Sequence, residues 1–151
     1  MRALTVWSPW AWAIARGWKP VENRGRPFPS SLAGAPVALH AGLGRDDTAL
    51  PDPEAAKALC RALAENDPMT ARGAVVAVVR FGLSHQDPAG GGECTPWAIE
   101  GAWHWPIESV VPLTEPVACR GALGFWRLPG DVLTAVTPER RQVEAAGTPG
   151  P

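Results

Sequence analysis

Between Ser8 and Arg24 the chain reads Ser-Pro-Trp-Ala-Trp-Ala-Ile-Ala-Arg-Gly-Trp-Lys-Pro-Val-Glu-Asn-Arg, and this stretch constrains the fold more than any other. Ser8 suits a helix N-cap, Pro9 the first helical position where a missing N–H costs nothing, and Gly17 a left-handed C-terminal cap. A short helix is expected over residues 9–16. Trp10, Ile14 and Trp18 recur every four positions and share one face, read as the core face, which turns Trp12 elsewhere and leaves it partly exposed. Pro20 stops the helix and favours extended backbone at Lys19. In the strand that follows, Glu22 and Arg24 fall on one face and Val21 and Asn23 on the other, so Lys19, Glu22 and Arg24 converge beside the helix end.

The remaining pattern is mixed. Ala3–Trp7 reads as a first strand and Pro36–Gly42 as a buried strand carrying His40 near its end. Gly42–Pro53 is a polar connection, and Asp52-Pro53-Glu54 opens a helix with a cap, a proline at the first position and an acid at the positive dipole end. Ala74–Val79 is a continuous β-branched run suited to a strand buried on both faces. His85–Thr95, with Asp87-Pro88 and three glycines, is the most flexible-looking loop. Trp103 and Trp105 alternate with His104 in the next strand. Ile107–Thr114 and Val117–Arg120 are strand-like pieces separated by Glu115-Pro116, and Gly121–Leu128 is a last strand followed by a short capped turn to Val136. From Thr137 onward Pro, Gly, Ala and charges follow no period, which predicts a disordered tail over 137–151 and one domain over 1–136.

Composition narrows the class. Seventeen prolines and sixteen glycines argue against a helical bundle and for a loop-rich, mixed or β-dominated fold. Eight tryptophans beside no tyrosine supply core, and also flat faces on which a nucleobase can stack. Cys60, Cys94 and Cys119 form neither a disulfide framework nor a zinc motif, which points to a reducing cytoplasm. No signal peptide and no membrane span are expected. The three histidines and Cys94 show no ligand spacing, so neither a metal site nor a cofactor is expected. Residues 1–45 hold six cations against Glu22 alone, although the whole chain has a net charge of −1. This asymmetry is either an anion-attracting surface or an inert one.

Pro-Trp-Ala, then Gly17, Lys19, Glu22 and Arg24, resembles the G-x-K-x-x-E-x-R signature of the ASCH domain family, part of the PUA-like superfamily. The resemblance covers residues 3–136: Pro36–Gly42 matches the family strand ending in His-Ala, Gly73–Leu83 the next long strand, and His104-Trp105 through Trp126 the closing strands. It implies an α+β fold, a PUA-like β-barrel with a short motif helix and one or two further helices. It also implies that a loop near Trp97 and Glu100 flanks a pocket.

A lysine beside a carboxylate is a recurrent catalytic unit, because burial can lower the lysine pKa while the carboxylate relays a proton; it is equally a static ion pair. The resemblance implies binding of RNA or a modified nucleobase in the cleft beside the signature. Trp10, Trp12, Lys19, Glu22, Arg24, His40, Trp97 and Glu100 are the candidate contacts: a Trp to stack the base, Lys19 and Arg24 for carbonyl or phosphate oxygens, Glu22 for an exocyclic amine. For His40 a satisfied structural role is the favoured reading. Some family members are amidohydrolases that deacetylate N4-acetylcytidine with a Lys, a Thr three residues on and a distant Glu. Here Lys19 matches the lysine but Glu22 occupies the Thr position. Ribonuclease activity is a further alternative; in an enzyme, Lys19 and Glu22 are the catalytic candidates.

Overall fold

The computed structural model describes residues 1–88 and 93–146. Part of the loop expected over 85–95, and the last five residues of the expected tail, lie outside that range. Six strands form one mixed sheet: β1 (Arg2–Ser8), β2 (Val21–Arg24), β3 (Pro36–Arg45), β4 (Ala74–Phe81), β5 (Trp103–Ala118) and β6 (Phe125–Arg127), in the order β2-β5-β4-β3-β1-β6. Only β1 and β3 pair in parallel; the other ladders are antiparallel. The helices are α1 (Trp10–Ala15), α2 (Pro53–Ala64), α3 (Gly130–Ala135) and α4 (Thr137–Ala146). The α+β class expected from the sequence is the observed one.

The sheet curls so that side chains from its two ends meet. Trp105 of β5 stacks on Phe125 of β6 at 5.7 Å between centroids, and Phe28 packs edge-on against both. Each aromatic contact of this kind adds about 0.5–1.5 kcal/mol beyond area burial. The β-branched run of β4 forms the buried centre, with Val75, Val76, Val78 and Val79 fully inaccessible. Strand β5 is continuous where two pieces were expected. Its first four residues pair with β2 and its later ones with β4, and register shifts against β4 accommodate prolines that cannot donate to a ladder. Strand β6 is shorter than expected, because Gly121 lies against His40 and the chain joins β1 only from Phe125.

The segment over 137–146 corrects the expectation of disorder. It is a helix with Val143 fully buried against the sheet, and Arg80 of β4 donates to the carbonyls of Val143 (3.3 Å) and Ala146 (3.5 Å). The sequence signals were present but sparse: Pro138 and Glu139 at the start, Arg140 and Glu144 one turn apart, and a single large apolar residue. A helix with so little apolar surface depends on tertiary partners, and Arg80 supplies the cap its own sequence lacks.

Candidate functional site

Helix α1 is held at its C-terminal end as the glycine implied. Gly17 adopts φ +74°, and the amides of Trp18 and Lys19 both reach the carbonyl of Ala13, at 2.9 and 3.1 Å. The N-terminal expectation is corrected. Ser8 is the last residue of β1, where its carbonyl accepts from the Asp46 amide at 2.8 Å, and Pro9 takes the cap position without a side-chain hydrogen bond. The face assignment is corrected in part: Ile14 is fully buried as expected, but Trp10 and Trp18 are only partly buried against the core. The helix is only six residues long and Ala11 through Ala15 are all buried, so it is apolar nearly all round; Trp12 lies in the core and Trp10 turns outward. Four-residue periodicity cannot tell core from pocket in so short a helix.

Beyond the helix, Lys19, Glu22 and Arg24 form one network. Glu22 receives Arg24 Nε at 2.9 Å on Oε1, and Lys19 Nζ stands 3.6 Å from Oε2 while also donating to the Val21 carbonyl. Arg24 Nη2 donates to the Thr5 carbonyl at 3.0 Å, which ties the motif to β1. Lys19 and Glu22 are almost inaccessible, at 4% and 6%. Burial pulls the Lys19 amine below its ordinary value and outweighs the opposing pull of Glu22. The two cations also lie against aromatic faces, Lys19 over Trp10 at 5.8 Å and Arg24 over Trp105 at 5.7 Å.

This network forms the floor of a cleft of about 550 Å3, a size suited to a small ligand. Trp7, Trp10 and Trp97 stand in its walls, with Trp10 and Trp97 edge to face at 6.3 Å. Trp7 is 57% exposed and lies flat over β3; a Cβ on Gly44 would stand 2.6 Å from its ring, so the missing side chain permits that approach. Asp46 accepts from Trp10 Nε1 at 2.9 Å and fixes the orientation of that ring. Asn23 joins the opposite wall: its Nδ2 donates to the Trp97 carbonyl at 2.8 Å and its Oδ1 accepts from the Ile99 amide at 3.1 Å. Three of the large exposed apolar side chains, Trp7, Ile99 and Leu123, stand at this cleft.

Of the eight candidates, Trp10, Lys19, Glu22, Arg24 and Trp97 line the cleft, and Trp12, His40 and Glu100 do not. Trp12 is buried, with no hydrogen bond to its indole N–H among the described residues. His40 is a satisfied core histidine: Nε2 meets the Cys119 carbonyl at 3.0 Å, Nδ1 meets the Thr5 hydroxyl at 3.3 Å, and that hydroxyl accepts from Trp126 at 3.0 Å. Burial holds its pKa below the ordinary value. Glu100 is exposed on the turn before β5. Trp7, Asn23 and Asp46 were missed, and only Asn23, inside the motif, carried a signal. The basic bias of residues 1–45 is largely internal pairing: Arg16 with Asp67, Arg45 with Asp47 at 2.7 Å, and Lys19 and Arg24 with Glu22.

The sequence matches no family model, and no curated protein matches it significantly. Among solved structures, that of ASCH from Zymomonas mobilis aligns over 91% of this chain and 93% of its own, with a TM-score of 0.56. The fold is ASCH-like. At 15% identity the likeness concerns the path of the chain, and the chemistry of the cleft in this ASCH-like fold rests on its own residues. No helix among the described residues is long and apolar enough to cross a membrane.

Proposed function

We infer that this ASCH-like domain, its curled sheet serving as a PUA-like barrel, binds RNA or a modified nucleoside by taking one base into the cleft. The observation that carries the reading is a Lys19–Glu22–Arg24 network, with Lys19 and Glu22 buried and Arg24 half-buried, beneath three tryptophan walls. A planar base stacks on an indole for about 1–3 kcal/mol, and stacking tolerates many bases. Lys19 and Arg24 offer donors to ring carbonyls, and Glu22 and Asp46 offer acceptors to an exocyclic amine. Two cations against two carboxylates suit a neutral, polar base better than a run of phosphates. The free cysteines suit a reducing compartment such as the cytoplasm.

Calorimetry with cytidine, N4-acetylcytidine and an unstructured RNA tests this, with Lys19→Met as the control. The expected result is saturable binding that the variant weakens by roughly 10- to 100-fold, the loss of one hydrogen bond from a charged group. Equal affinity in both proteins, or no binding to any of the three, contradicts the reading.

One observation favours a second reading, hydrolysis of an acylated pyrimidine nucleoside. The lowered pKa of Lys19 beside a carboxylate is what a general base requires. Deacetylation of N4-acetylcytidine, followed by chromatography and abolished in both Lys19→Met and Glu22→Gln, establishes it. Unchanged nucleoside in the presence of saturable binding leaves a binding domain.

A further inference from the structure

The β2–β5 ladder has two faces. Glu22 and Arg24 stand on the cleft side, opposite Trp105 and Trp103, while Asn23 is paired with His104. Around His104 the fold gathers His85, Asp87 and Cys94, whose potential ligand atoms all lie within 4.8 Å of one another. Cys94 Sγ is 3.5 Å from His104 Nδ1, Asp87 Oδ2 is 3.4 Å from the same nitrogen, and His85 Nε2 is 3.6 Å from Asp87 Oδ1. Tetrahedral zinc, with bonds of about 2.0–2.3 Å, holds its ligand atoms roughly 3.3–3.7 Å apart; these three separations fall in that range, and the cluster as a whole, within 4.8 Å, needs side-chain shifts of about 1 Å to close on the ion. Two imidazoles, a thiolate and a carboxylate are a donor set suited to zinc.

The surroundings orient these ligands. His104 is fully buried, and its Nε2 meets the Ile99 carbonyl at 2.9 Å. A carbonyl only accepts, so Nε2 carries a proton, which leaves Nδ1 as the nitrogen of His104 that faces the cluster and can serve as the ligand atom. His85 and His104 are bridged through the backbone at 2.8 and 3.1 Å, and their rings stand 5.4 Å apart at 82°. The Cys94 amide donates to Asp87 at 2.8 Å. His85 and Cys94 lie toward solvent, which leaves an entry path.

We propose that His85, Asp87, Cys94 and His104 form a structural zinc site that pins the 94–99 segment, and with it the Trp97 wall of the cleft. Four protein ligands leave no open position, which separates this site from a catalytic metal. The spacing His-x-Asp, then six residues to a cysteine and nine between that cysteine and a histidine, matches no compact zinc motif; the site exists because β5 returns beside His85. The inference stands independently of what the cleft binds.

The test is titration of the untagged, chelator-treated full chain with Zn2+ against a chromophoric competitor, and with Co2+ followed by absorption. The expected result is one ion per chain, a thiolate-to-cobalt charge-transfer band, and a rise in melting temperature. Cys94→Ser and His85→Ala, at exposed positions that do not threaten folding, should each weaken zinc by more than about tenfold, whereas Cys60→Ser leaves binding unchanged. Binding unaltered in Cys94→Ser, a cobalt spectrum without the thiolate band, or no uptake by the wild-type chain overturns the proposal.

Discussion

His40 shows how one residue is defined by what surrounds it. Held neutral by burial and hydrogen-bonded at both ring nitrogens, it has a folded-state pKa below 6.5, so the unfolded chain takes up the proton first as pH falls. Its contribution to stability is complete above about 6.5 and is lost as pH falls through the folded value. The carboxyl of Asp46, kept below 3.8 by hydrogen bonds from Thr48, acts only at lower pH. Denaturant unfolding between pH 7 and 4 should therefore show an acid-side decline that is shallower in His40→Gln; an unchanged slope in that variant would contradict the assignment. Lys19 sits in the opposite setting. It is nearly as inaccessible, yet it is paired with a carboxylate on the floor of a cleft, which is the setting that the proposed function would use.

Elements differ in how much of their support is local. Helix α2 was legible at its start, where the Asp52 carboxylate accepts from the amides of Glu54 and Ala55 at 2.8 and 3.2 Å, but its buried side chains are Ala55 and Ala62 while Leu63 stays exposed. Strand β4 was legible from its β-branched run. Helix α4 was not, because its single large anchor, Val143, and its cap from Arg80 are tertiary facts. Val143→Ala should lower stability by about 2 kcal/mol through lost burial and a residual cavity, a fall in melting temperature of roughly 4–8 °C. A melting temperature unchanged by the substitution would return this segment to the disordered tail first expected. The candidate site divides in the same way. Lys19, Glu22 and Arg24 are neighbours in sequence and could be read together, whereas Trp7 and Asp46 enter through the β1–β3 pairing, which no local pattern announces.

At the scale of the whole molecule the net charge is −1, Arg16, Arg24 and Arg45 are paired with carboxylates, and Arg26 stands exposed beside Gly124 at the cleft. If a base is the recognised group, no more than Lys19, Arg24 and Arg26 meet phosphate, and each phosphate contact on a single strand contributes a slope of about −0.7 in log K against log salt. RNA binding should therefore weaken with salt no more steeply than about −2; a steeper slope would place recognition on the backbone instead. The central claim is that a base enters between the tryptophan walls above the Lys19–Glu22–Arg24 floor. Its most direct test is a nucleoside titration followed by the eight indole N–H signals in a nitrogen–proton correlation spectrum, assigned by single substitutions. The account predicts saturable shifts at Trp7, Trp10 and Trp97, with Trp12, on the buried side of α1, unmoved; saturable shifts that spare all three wall tryptophans, or no saturable shift at all, would contradict it.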